Sequence, residues 1–136
     1  MFPLLTALLL AAAPASASAD PVIGTWLNPR GTVTVRTARC GRAICGKVIS
    51  AAPSAQEKAR AAGTGRLVGM EILSDFRPAG RGIWQGQAFI PDMGVTVPAT
   101  MTQLGRDRLQ IEGCGMGGYL CKQQVWTRVA ARPKRR

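Results

Sequence analysis

Between residues 95 and 102 the chain alternates without interruption: Val95, Val97, Ala99 and Met101 interleave with Thr96, Pro98, Thr100 and Thr102. A two-residue period sends one set of side chains to each face of a strand, and no helix face has that spacing. Residues 32–39 repeat the pattern with Thr and Val. Shorter strand signals cover 22–28, 44–50, 66–74, 83–90, 108–114 and 121–129. Turn signals separate them, among them Asn28-Pro29-Arg30-Gly31 and Pro91-Asp92-Met93-Gly94, and residues 75–82 read as a loop around Pro78, Gly80 and Gly82. Pro98 cannot donate to a ladder, so it marks a bulge or an edge. One short helix is expected over 55–62. Ser54-Ala55-Gln56-Glu57 matches a capping box, Gly63 supplies a stop, and the helix should cover an open end or edge of the sheet. Eight short strands in sequence, joined by tight turns, close into a small antiparallel up-and-down β-barrel, and closure removes the edges that would otherwise aggregate. The expected class is all-β with one short helix.

Residues 1–19 read as a secretory signal. An apolar run is broken by Pro14, and Ala17-Ser18-Ala19 forms an A-x-A cleavage site before Asp20. The run is shorter than the roughly 20 residues a spanning helix needs. No cysteine stands at the cleavage site to carry a lipid, and no later segment could cross a bilayer. The expected organisation is a signal peptide over 1–19, a single barrel domain over 20–130 and a basic disordered tail over 131–136, in a periplasmic or secreted protein. Four cysteines, Cys40, Cys45, Cys114 and Cys121, form an even set, as disulfides in an exported chain require. Three connectivities exist. The two short intervening loops favour Cys40–Cys45 and Cys114–Cys121, each a staple across one hairpin. The C-x4-C and C-x6-C spacings and the absence of histidine argue against a zinc site.

Charge and chemistry narrow the function classes. The chain carries a net charge of +11, with four basic residues in the last five positions. Such an excess attracts polyanions, which outside the cytoplasm means anionic lipid or glycan. Aromatic residues are not interleaved with the basic ones, so nucleic acid is not an expected partner. Lack of histidine removes the usual general base and any Ser-His-acid triad. Of the seven acidic residues, only Glu71 and Asp75 stand close without a clear turn between them. The glycines over 113–118 follow a strand and open no helix, so they are not a phosphate loop. No catalytic residues, metal or cofactor are expected.

Gly24-Thr25-Trp26 on the first strand and Trp126-Thr127-Arg128 on the last resemble the ends of lipocalin-type barrels. That resemblance implies a Trp26–Arg128 stack tying the first strand to the last. Most of the chain over 20–129 is also similar to the bacterial exported domain-of-unknown-function family 2147. The shared stretches include Arg39-Cys40-Gly41-Arg42-Ala43-Ile44-Cys45-Gly46, Trp84-Gln85-Gly86-Gln87-Ala88-Phe89-Ile90 and Gln124-Val125-Trp126-Thr127-Arg128. Departures are the absence of Asp and Asn over 51–62 and Val97 where relatives carry Tyr. The resemblance implies a lipocalin-like barrel and a periplasmic address, and it carries no reaction.

The leading expectation is therefore a non-catalytic binding module for a small apolar or amphipathic ligand. Trp84, Phe89, Met101 and Tyr119 are the candidate lining residues, and Arg36, Arg39 or Lys47 would attract an anionic head. The alternative is a structural or interaction protein of the envelope that binds anionic lipid or glycan through its basic surface. A cavity on the order of 300 Å3 would favour the first, and a filled barrel the second.

Overall fold

The computed structural model describes residues 21–118 and 120–130, together with Pro3. The remainder of the expected signal over 1–19, Asp20, Tyr119 and the basic tail over 131–136 lie outside the described residues. Eight strands close in chain order into one antiparallel barrel: β1 (Gly24–Leu27), β2 (Val33–Cys40), β3 (Ala43–Ala51), β4 (Glu71–Gly80), β5 (Ile83–Ile90), β6 (Val95–Gly105), β7 (Arg108–Gly115) and β8 (Leu120–Arg128). One helix, α1 (Pro53–Ala61), joins β3 to β4, and a 3-10 turn over Met116–Gly118 joins β7 to β8.

Up-and-down order sorts the connections into two ends. The β2–β3, β4–β5 and β6–β7 hairpins share one end with the start of β1 and the end of β8. That end is packed solid by the fully buried Trp26, Ile44, Phe76, Met101 and Leu109. The opposite end holds the β1–β2 turn, α1 and its loop, the β5–β6 turn and the β7–β8 connection. Helix α1 lies over that second end and buries Ala55 and Ala59 in the core.

The expected capping box does not form. Ala52 is the N-cap with no side-chain cap bond, and Pro53 occupies the first turn. The Ala52 N–H instead donates to Thr32 O at 2.7 Å, so the sheet sets where the helix begins and Pro53 supplies the preset φ. Gln56 holds the far side. Its Oε1 accepts the Leu67 N–H at 2.9 Å and its Nε2 donates to Gly65 O at 3.1 Å. Thr64 Oγ1 donates to Pro91 O at 2.8 Å, tying this loop to the β5–β6 turn across the end of the barrel.

The strand expected over 66–74 and the loop over 75–82 are also corrected. Residues 66–70 form the approach, with Leu67 buried, and β4 runs through the supposed loop. Asp75 takes φ 55° at a register shift between Ser74 and Arg77, which is a bulge within a continuous strand. Pro78 is tolerated because the β3 pairing stops at Ile44 opposite Phe76, so β4 beyond it pairs on the β5 side only. Pro98 sits likewise. It pairs with Gln87 on β5, while the β7 ladder begins at Ala99.

Candidate functional site

The open end of the barrel keeps a cavity of about 170 Å3. Its floor and walls are apolar: Val33, Val48, Leu73, Ala88, Ile111 and Trp126, with Ala55 and Leu67 contributed from α1 and its loop. The polar side chains of its lining are those of Asn28, Asp92, Lys122 and Gln124.

Lys122 and Gln124 are there for a simple reason. Trp126 is buried and lines the cavity, so the residues two and four positions earlier on β8 share its face. Gln124 Oε1 accepts the Trp126 Nε1–H at 2.9 Å, which satisfies the indole and holds the amide against it. Asn28 is occupied by the β1–β2 turn. Its Oδ1 accepts the N–H groups of Thr32 (2.8 Å) and Val33 (3.0 Å), and its Nδ2 donates to Thr32 Oγ1. Lys122 is exposed, and among the described residues no carboxylate forms an ion pair with it. The site is thus an apolar well with Lys122 and Asp92 among its lining groups.

Several residues singled out from the sequence lie elsewhere. Phe89 lines the cavity. Trp84 and Met101 do not: they are direct cross-strand partners toward the packed end, where Met101 is fully buried. Tyr119 lies outside the described residues. Arg36 and Lys47 are exposed partners on the outer wall of β2 and β3, and Arg39 stands next to the hairpin at the packed end. None of these three is placed to meet a ligand head at the mouth. The cation in the cavity lining is Lys122, which its phase with Trp126 could have identified.

Both cysteine pairs are bridged on the outer wall, Cys40 to Cys45 and Cys114 to Cys121. Cys114 and Cys121 are direct register partners, whereas Cys45 faces Ala38 and meets Cys40 diagonally. Two groups of metal-capable atoms occur among the described residues, Cys40/Cys45/Glu71 and Glu112/Cys114/Cys121. Each spends two of its three donors in a disulfide. Glu71 and Asp75 do not form a carboxylate pair, since Asp75 accepts from Arg77 Nε at 2.9 Å.

Closure of the barrel uses the first and last strands. The Arg128 guanidinium lies 4.3 Å from the centroid of the Trp26 ring. It donates to Ile23 O (3.0 Å), Arg106 O (2.9 Å) and Pro21 O. Trp26 Nε1 donates to Val22 O at 3.1 Å, and the Gly24 N–H donates to the buried Thr37 hydroxyl at 3.0 Å. No helix among the described residues is long and apolar enough to cross a membrane.

A family model described as "Uncharacterized protein conserved in bacteria (DUF2147)" matches residues 24–128. No curated protein matches the chain. Among solved structures it is similar to protein HP1028 from the human pathogen Helicobacter pylori, described as belonging to the lipocalin family. That likeness has a TM-score of 0.61 at 18% sequence identity, over 79% of this chain and 82% of the other. At such identity it is a likeness of fold.

Proposed function

Because the chain belongs to the bacterial family DUF2147, whose description carries no activity, we propose a function from its own barrel: a non-catalytic binding module for a small amphipathic ligand, working outside the cytoplasm. The observation that carries this reading is the apolar cavity of about 170 Å3 with Lys122 at its mouth. An apolar portion of the ligand sits on Leu73, Ile111 and Trp126, and an anionic head meets the Lys122 ammonium beside Gln124.

Size restricts the ligand class. Cavities that hold drug-sized molecules run from about 300 Å3 upward, and a dry apolar cavity of about 150 Å3 accepts a benzene ring. At about 170 Å3 the well is smaller than the roughly 300 Å3 expected of a binding cavity, and it takes a short chain or a single ring, not a whole long-chain lipid. The absence of histidine and the use of Asp75 and Asp107 in pairs with arginines support a non-catalytic role.

Titration with octanoate and with octan-1-ol, followed by tryptophan fluorescence and native mass spectrometry, tests the reading. Octanoate is expected to bind more tightly. Lys122→Met is expected to weaken octanoate about fivefold to tenfold, the scale of a charge-assisted contact at a partly solvated site, and to leave the alcohol unchanged. Failure of both probes to bind at millimolar concentration would overturn it. Export is tested separately. Residues 1–19 are proposed as a removed leader, 20–130 as the barrel domain and 131–136 as a basic extension. N-terminal sequencing of protein from a periplasmic extract should begin at Asp20, and an intact Met1 there would refute the leader.

A further inference from the structure

The three hairpins at the packed end share one property that the cavity does not explain. Each carries arginine at or beside its tip: Arg39 and Arg42 on β2–β3, Arg81 on β4–β5, Arg106 and Arg108 on β6–β7. All five are exposed. Among the described residues, no carboxylate pairs with Arg42, Arg81, Arg106 or Arg108, because Asp107 is turned to Arg128 and Asp75 to Arg77. Exposed apolar side chains stand at both ends, Leu104 on β6 and Val129 after β8 here, and Val68, Met93, Val95 and Leu120 at the cavity end, so charge and not apolar surface distinguishes this end. The opposite end carries Arg30, Lys58, Arg60, Arg66 and Lys122, but Glu57 and Asp92 stand among them and Glu57 pairs with Arg60.

We infer that the arginine-tipped end of the barrel docks on the phosphate-bearing surface of an anionic bilayer, leaving the cavity mouth facing solvent. Up-and-down topology puts the three tips on one side of the molecule, so they can meet one surface together. Guanidinium groups suit phosphate because they bind it through two parallel N–H donors. The cluster of guanidinium groups commits this end to an anionic surface, and Leu104 and Val129 beside them gain from the headgroup–acyl boundary of a membrane. This inference stands apart from the cavity reading: either could fail without the other.

The test is cosedimentation of the full chain with vesicles of phosphatidylglycerol and phosphatidylcholine, at low salt and at 0.5 M salt. Binding is expected at low salt and is expected to fall at high salt, because headgroup attraction is screened. The triple variant Arg42→Gln/Arg81→Gln/Arg106→Gln should lose about a hundredfold in partitioning, at roughly fivefold per charge near an anionic surface. A variant with the same charge loss at the other end, Arg30→Gln/Lys58→Gln/Arg66→Gln, should keep most of the binding. Circular dichroism melts confirm that both variants fold. Equal losses in the two variants would mean that net charge alone drives binding, and would overturn the inference. So would absence of vesicle binding, including the case in which the chain is retained by a sulfated glycan column but not by vesicles.

Discussion

Replacing Gly86 with alanine is expected to destabilise the barrel by about 3 kcal/mol, at the upper end of the usual overpacking range. For a domain of this size the melting temperature should fall by roughly 10 to 20 °C, read by circular dichroism. The cause lies across the ladder. Asp75 at φ 55° bulges β4 toward β5, and Gly86 is the residue opposite. A Cβ at Gly86 would lie 2.6 Å from Ser74 O and 2.8 Å from Phe76 Cα. Both are backbone atoms of the bulged strand and cannot swing away. Phe76 is itself fully buried, so moving it disturbs the packed end. Gly115→Ala is the matched control. Its Cβ would meet Val97 Cγ1 at 3.6 Å, an ordinary contact, and it should change stability by less than about 0.5 kcal/mol. If Gly86→Ala melts with the control, the bulge is not where stability is concentrated.

This pair of residues also shows where sequence reading stops. Alternation over 95–102 fixes which side chains face inward, because the period is set by the backbone itself. The same logic places Trp126 on the inner face and would have brought Lys122 and Gln124 with it. Alternation says nothing of height along the barrel. Trp84 and Met101 are on opposed strands as a pair, but they pack toward the filled end, away from the cavity. Height depends on register, and register depends on bulges such as the one at Asp75. A left-handed aspartate leaves no local signature, and Pro78 and Gly80 nearby suggest a loop instead. The helix start failed for a related reason. Ser54 and Glu57 offer a local capping box, but the Ala52–Thr32 bond to the sheet set the first turn ahead of it. Long-range pairing overrode a local motif of about 1 kcal/mol.

Removing the Arg128 side chain is expected to cost about as much as filling Gly86, near 3 kcal/mol, because one guanidinium supplies a ring stack and several charged hydrogen bonds. The seam it closes is short. Strand β1 has four residues and meets β8 at only two register positions, Trp26 with Arg128 and Leu27 with Thr127. So few ladder bonds leave the junction dependent on side chains. Arg128 supplies them in three directions, to Pro21 and Ile23 before β1 and to Arg106 in the β6–β7 hairpin, while its flat face lies on Trp26. Lysine is a point charge without that planar fork, so Arg128→Lys should recover less than half of the loss in thermal melts. The arrangement also explains the glycine of the G-x-W element. A Cβ on Gly24 would run into Arg128 Nη1, so Gly24→Ala should destabilise the wild-type barrel. In an Arg128→Ala background the steric obstruction is gone and only the cost of a side chain at φ 159° remains, so the same glycine substitution should cost less. A double-mutant cycle measures that difference directly. Additive losses would mean that the backbone conformation of Gly24, and not room for the guanidinium, is what calls for glycine there.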